Sequence, residues 1–331
     1  NGNIRKVKND KIDSKGIAKL GLSKDIPVSQ FPAKLVLELR SLTRKYYDLT
    51  DERSAHINKL KGDLHTVFPQ YLDVFCDVTG KTSTMILRQY GTPDKILRGH
   101  KKTMIEKISK ASRKGLAKAS ERYEKLCAAA NAAKTFGCQI DSIYFNIFLT
   151  LDLVEKLDSA LDSILNRIRQ LITFNKNEKF IQQIKLLNTI PGVGFLTAVT
   201  IMCEIGDFSA FRNPKQLFAY FGLDPEVNES GKFVGTQLHM SKRGSRIARR
   251  AIFAVALASI RTKRNGEGIN PYLRKYYELK SGQKPKMVAI GAVMHKVCNI
   301  VFAVLRDEKA FELRSPEEHC KQYQRPALAA A

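Results

Sequence analysis

Two apolar runs with alternating steps of three and four constrain this chain's fold more than any other feature. The first passes through Leu35, Leu39, Leu42, Tyr46, Leu49, Ile57, Leu60, Leu64 and Val67, is interrupted at Arg53 and His56, and stops at Pro69. The second passes through Val154, Leu157, Leu161, Ile164, Ile168 and Leu171. A seam with this spacing winds slowly round a helix and has to be covered by another helix along its length, so both runs call for coiled-coil packing. The cover is either the other seam, in an antiparallel hairpin within the chain, or a second subunit. Strand-like alternation is scarce elsewhere, and the expected class is mainly α.

Charge narrows the partners. The chain has 331 residues, 44% of them apolar, which is enough for two or three domains with real cores, and a formal net charge of +24 with a pI near 9.8. So large an excess of cations suits a polyanion, whose binding is driven by release of its counterions. An anionic membrane surface competes with nucleic acid for this role. Against a membrane, the uncharged run Ala251 to Ile260 lies between Arg250 and Arg261 and is far too short to span a bilayer. The opening residues carry no secretory pattern, and the six cysteines (Cys76, Cys127, Cys138, Cys203, Cys298, Cys320) form no CxxC pair. Reduced thiols in a cytoplasmic protein are therefore expected.

The cations are most concentrated in GKFVGTQLHMSKRGSRIARRAIFAVALASIRTKR, residues 231–264. From Ser241 onward it holds eight Lys or Arg and no Asp or Glu. Glycines and hydroxyl residues up to Ser245 give way to a line of Ile247, Ala251, Val255 and Ala258, the pattern of a loop feeding a helix with Ser245 as N-cap. Arg246, Arg249 and Arg250 then share a face beside the helix start, where backbone N–H groups and guanidinium groups both favour a phosphate. Lys242 and Arg243 extend the charge into the loop. Ser241, four residues before the cap, is either a turn serine or a nucleophile held beside a phosphodiester. His239 is either a base for it or a simple phosphate contact.

Other stretches carry weaker signals. Pro191-Gly-Val-Gly194 between two short amphipathic helices has the form of a helix-hairpin-helix, whose Gly192 and Gly194 would let backbone approach a phosphate; the alternative is an ordinary helical corner. Asp10 and Asp13, three residues apart near the start, are either capping residues or a pair of carboxylates for a hard cation such as Mg2+. The Lys-rich piece from Lys101 to Lys125 is a solvated face or an RNA-contacting one. Tyr272, Tyr276 and Tyr277 stack on bases or pack on the helix behind them. Residues 286–305 are apolar nearly all round, which predicts a buried core helix, with His295 a core or boundary histidine.

In order along the chain, NDKIDSKGIA, the LRSLTRKY…INKLKGDL helix, IPGVG…EIGDFSAFRNPKQLFAYFGL, SGKFVG and MSKRGSRIARRAI together resemble the DEDD transposases of the IS-one-ten insertion-sequence family, also called bridge recombinases. The resemblance implies an RuvC-like acidic domain that binds Mg2+, a coiled-coil region and a C-terminal transposase domain. It carries Asp10 and Asp13 onto the last two acids of the tetrad and Ser241 onto the catalytic serine. It further implies double-stranded DNA as substrate, a covalent phosphoserine intermediate, a noncoding bridge RNA as guide, and a homo-oligomer (dimer or tetramer) whose acidic and serine sites meet in trans.

The expected domains are an RuvC-like α/β remnant (1–25), a helical coiled-coil region (26–178), a helical transposase domain with helix-hairpin-helix and a small loop or hairpin (179–314), and a tail (315–331) ending in vector-like residues. The family's first Asp and Glu precede the start of this chain, so the chain as given is expected to be a poor catalyst by itself. A noncatalytic nucleic-acid-binding module and a metal-dependent nuclease are the alternative functions.

Overall fold

The computed structural model describes residues 10–22, 32–136, 138, 140–176, 178–226, 229–230, 233–234 and 239–318. The tail from 319, most of the 227–238 loop and the side chains of Asp10 and Asp13 lie outside the described residues. Among those described the fold is mainly α, as the apolar spacing predicts, and its only strands form one two-stranded antiparallel ribbon, β1 (Glu229–Ser230) and β2 (Phe233–Val234). The first helix, α1, spans Asp10–Leu22 and carries Asp10 and Asp13 in its first turns.

The two seams pack on each other within the chain. Helix α2 (Lys34–Val67) and helix α8 (Asp141–Phe174) are each 34 residues long. Their register is antiparallel: Tyr144 Oη donates to the Val67 carbonyl at 3.4 Å at one end, and Arg53 holds Asp158 fourteen residues further along both helices. The interruption at Arg53 is thereby explained, because its guanidinium grips the Asp158 carboxylate through Nε at 2.5 Å and Nη2 at 3.2 Å. Two seam positions shift by one residue from the expectation, with Val36 buried in place of Leu35 and Thr43 in place of Leu42. Thr43 is fully buried where Leu42 is only half-buried, and the Thr43 hydroxyl bonds the Arg40 carbonyl.

Five helices that lie between the two arms in sequence build a second core with the arms' ends: α3 (Tyr71–Val74), α4 (Lys81–Gln89), α5 (Pro93–Arg98), α6 (Lys101–Ser112) and α7 (Leu116–Phe136). Phe68, Tyr71 and Phe75 pack there as tilted rings, in one buried cluster with Leu60 and Leu64 of α2 and Leu126 of α7. The Lys-rich piece is two helices, broken where Arg113 turns left-handed (φ 54°) ahead of Lys114 and Gly115.

The remaining helices are α9 (Lys179–Leu187), α10 (Phe195–Ile205), α11 (Pro214–Tyr220), α12 (Arg246–Ser259), α13 (Pro271–Ser281) and α14 (Lys286–Asp307). Their core takes in Leu39, Ile168 and Leu171, so the hairpin's root is built into it. Helix α14 is long and apolar enough to cross a bilayer, yet Ile290, Val293, Val297, Val301 and Leu305 are buried against its neighbours, as the expected core helix requires. His295 packs edge-on against Phe218 at 4.7 Å, and burial, with the Lys296 and Lys215 charges, lowers its pKa.

Candidate active site

The serine loop is clamped between two glycines. After α11, Gly222 turns left-handed (φ 65°) and its backbone lies directly against Gly244, so that a Cβ on either residue would overlap main-chain atoms of the opposing segment. Residues 239–245 then run alongside 221–226. Glu226 N donates to the His239 carbonyl at 2.7 Å, Ser241 N to Asp224 O at 2.8 Å, and Lys242 N to Gly222 O at 3.1 Å. Lys242 itself is left-handed (φ 53°), an unusual conformation for a residue with a side chain. Backbone strain of this kind is tolerated where the surrounding structure imposes it.

Ser241 is half-buried, and its hydroxyl donates to Asp224 Oδ1 at 2.6 Å. Lys242 and Arg243 beside it are exposed, and among the described residues neither makes an ion pair. Ser245 caps α12 as expected, accepting from Ala248 N at 3.2 Å. Its hydroxyl also reaches Glu204, a side chain with 2% of its surface exposed at the end of α10. Burial alone would raise the Glu204 carboxyl. Hydrogen bonds from Arg44 (2.8 and 2.9 Å) and Ser245, with the charges of Arg44 and Arg40, outweigh it and hold the group below the usual carboxylate range.

The three arginines at the head of α12 have separate tasks. Arg249 is a scaffold, with its Nη1 donating to the Phe221 and Gly244 carbonyls at 3.2 and 2.6 Å and so closing the glycine clamp. Arg246 and Arg250 share one carboxylate, Asp51 of α2, at 3.0 and 2.7 Å, and Arg250 also lies over the Tyr47 ring. With 77% of its side chain exposed, Arg246 keeps donors turned to solvent, whereas Arg250 at 34% is largely committed.

The glycine hairpin lies elsewhere. Gly192 (φ 94°) presses on the far end of α12, where a Cβ would meet Ser259 Oγ at 2.8 Å, and Ser259 Oγ donates to the Pro191 carbonyl. Gly194 is exposed and open at the start of α10. Helix α12 has 14 residues, so the hairpin and the serine loop stand about 20 Å apart along it. The structure therefore brings Ser241, Lys242, Arg243 and Arg246 together and sets Gly192 and Gly194 at a second point.

Asp224, Asp51 and Glu204 were not singled out from the sequence. Each lies at least 17 residues from the group it holds, and no local spacing rule links them. Among the described residues no cluster of three or more His, Cys, Asp or Glu stands ready to hold a metal ion.

Residues 1–69 match the DEDD transposase model of IS110, and residues 184–278 match the model described as transposase IS116/IS110/IS902 family. These place the chain among the transposase proteins of insertion sequences. More particularly, it belongs to the IS110/IS116 family. It is 23% identical over 286 residues to an uncharacterized 43.6 kDa protein of insertion element IS110 from Streptomyces coelicolor, covering 86% of this chain and 66% of that one. It is 30% identical over 177 residues to the pilin gene-inverting protein of Moraxella bovis, covering 53% and 52%. It is also 26% identical over 188 residues to the transposase for insertion sequence element IS1111A of Coxiella burnetii, covering 55% and 50%. The chain thus spans about half to two thirds of the length of these relatives.

Proposed function

We propose that this chain belongs to a DNA transposase or recombinase in which Ser241 attacks a phosphodiester and holds the cut strand as a phosphoserine until a new partner is joined. The observation that carries the reading is the place of the Ser241 hydroxyl: half-buried on a clamped loop, beside exposed Lys242, Arg243 and Arg246 at the head of α12. A hydroxyl fixed next to cations and unpaired helix N–H groups is positioned for a phosphate. Covalent catalysis then splits one difficult transfer into two reversible ones. The relatives' names support the coarser part of this reading, the breaking and rejoining of DNA, because one is named for inverting a gene and another as a transposase.

Gly194 at the open start of α10 offers a second backbone contact about 20 Å along α12, a span of roughly six nucleotides at 3.4 Å per step. Asp10 and Asp13 would contribute two carboxylates to a Mg2+ site in the assembled protein; when bound, the cation would polarise the phosphate. A guide RNA and a homo-oligomer complete the proposal. The net charge of +24 is ample for two nucleic acids at once.

The test is a covalent trap. Protein expressed from its whole gene is incubated with RNA co-purified from the same cells and with labelled DNA flanking the gene, then denatured. A DNA–protein adduct lost in Ser241→Ala and kept in Ser245→Ala is the expected result. Cleavage that persists in Ser241→Ala without an adduct would establish water attack and overturn the serine mechanism. DNA binding with neither adduct nor cleavage would leave a noncatalytic binding module.

A further inference from the structure

We infer that Asp224 is the proton acceptor for Ser241, an inference that rests on the nucleophile reading above. The Oγ to Oδ1 distance of 2.6 Å is that of a hydroxyl donating to a carboxylate, shorter than bonds between neutral groups. Among the described residues this is the hydrogen bond the Ser241 hydroxyl makes, and it points to Asp224 rather than to exposed His239.

The pair is built, not incidental. Asp224 lies between the Gly222 turn and Pro225, whose ring fixes the backbone, and its own carbonyl accepts from Ser241 N at 2.8 Å. Pro225 also bridges Met240. Main-chain bonds on both sides of Ser241 therefore hold the carboxylate against the hydroxyl. A turn serine needs no such arrangement. An attacking serine does, because its hydroxyl is a weak nucleophile until a neighbouring base takes the proton.

In the first transfer the Ser241 proton passes to Asp224 as the Oγ–P bond forms and the bond from phosphorus to the leaving strand's oxygen breaks. The departing oxygen is protonated by water. In the second, a strand-end hydroxyl attacks phosphorus and gives its proton to solvent, the Oγ–P bond breaks, and Oγ recovers the proton stored on Asp224. No oxidant or hydrolytic water is consumed. Exposed Lys242 and Arg243 offset the repulsion between the Asp224 carboxylate and an incoming phosphate.

The trap described above, run as a time course from pH 6 to 9 with wild type, Asp224→Asn and Asp224→Glu, tests this. Asn preserves an oxygen that accepts from Ser241 but takes up no proton. Its adduct rate is expected to fall by about 10²- to 10⁴-fold, the usual worth of a general base, and to rise steadily with pH, with partial recovery in Asp224→Glu. A rate and pH profile in Asp224→Asn equal to wild type would overturn the inference while leaving the serine mechanism standing. Absence of any adduct in wild type would instead remove the serine mechanism, and this inference with it. A second measurement needs neither DNA nor RNA. In Ser241→Cys, iodoacetamide alkylation should speed up at pH 8 when Asp224→Asn is added, because a nearby carboxylate disfavours the thiolate. Alkylation indifferent to Asp224→Asn would show that the carboxylate is not beside residue 241 and would likewise overturn the proposal.

Discussion

Removing Arg44 should destabilise the protein more than neutralising the carboxylate it holds, although the two groups share the same pair of hydrogen bonds. The Glu204 side chain is 2% exposed, and that of Arg44 is 51% exposed. Arg44→Ala therefore strands a charge in the interior, with only the Ser245 hydroxyl and the more distant Arg40 to stabilise it. Such a loss costs about 3–5 kcal/mol, and the two remaining partners put the expectation near the lower figure, about 3 kcal/mol. Glu204→Gln keeps the shape and one acceptor, while the half-exposed guanidinium turns to water. Only charge assistance is lost, about 1 kcal/mol, from the difference between charged and neutral hydrogen bonds. pH supplies an independent check. With its folded pKa depressed, ionised Glu204 stabilises the wild type above the ordinary carboxylate range, and this stabilisation is lost as pH falls through the depressed value. Without Arg44, burial leads and the carboxyl is raised instead, so the penalty is present at neutral pH and fades as the group protonates. The gap between wild type and Arg44→Ala should narrow from pH 7 to pH 4. Since the chain has no tryptophan, urea unfolding is best followed by helical circular dichroism. A larger loss for Glu204→Gln than for Arg44→Ala, or a gap that stays constant with pH, would refute the reasoning.

Further outcomes follow from the same geometry. Gly244→Ala should deplete folded protein, or cost several kcal/mol if it folds, because its Cβ would overlap the backbone of Tyr220 and Phe221; thermal melting against Gly194→Ala, which faces open space, measures the contrast. Asp51→Asn frees Arg246 and Arg250 from their shared carboxylate, so nonspecific duplex binding should tighten and its salt dependence steepen by about one to two phosphate contacts, read from affinity titrations at several salt concentrations. A double-mutant cycle on Arg53 and Asp158, whose side chains are 29% and 47% exposed, should return a coupling of about 1 kcal/mol or less and shrink in high salt.

The hairpin was legible in the sequence because a coiled-coil seam is a local signal, repeating every three or four residues wherever the chain lies. The choice of an intrachain partner was not, since Arg53 finds Asp158 across 105 residues and nothing near either residue names the other. The same limit governs the site. Ser241, the Ser245 cap and the run of cations were visible as neighbours in sequence, and the N-cap formed where the pattern placed it. What those cations do was not visible. Arg249 and Arg250 read as free positive charge, yet one is engaged by the carbonyls of Phe221 and Gly244 and the other by Asp51 and Tyr47.

Glycine shows most clearly why local reading stops short. Gly222 and Gly244 each look like an ordinary loop residue, one closing a helix and one preceding a cap. Their necessity arises only from each other, because two backbones meet where neither tolerates a Cβ. That contact sets the path of residues 239–245, turns Lys242 left-handed and brings the Ser241 hydroxyl onto Asp224. The reactive geometry is thus a consequence of main-chain packing between two distant segments, with the charged side chains arranged around it. It follows that a Cβ at either glycine should separate Ser241 from Asp224 although no polar residue of the site has been replaced. The thiol-alkylation readout in Ser241→Cys should then lose its dependence on Asp224, and persistence of that dependence in a folded Gly222→Ala protein would show that the clamp does not set the pair.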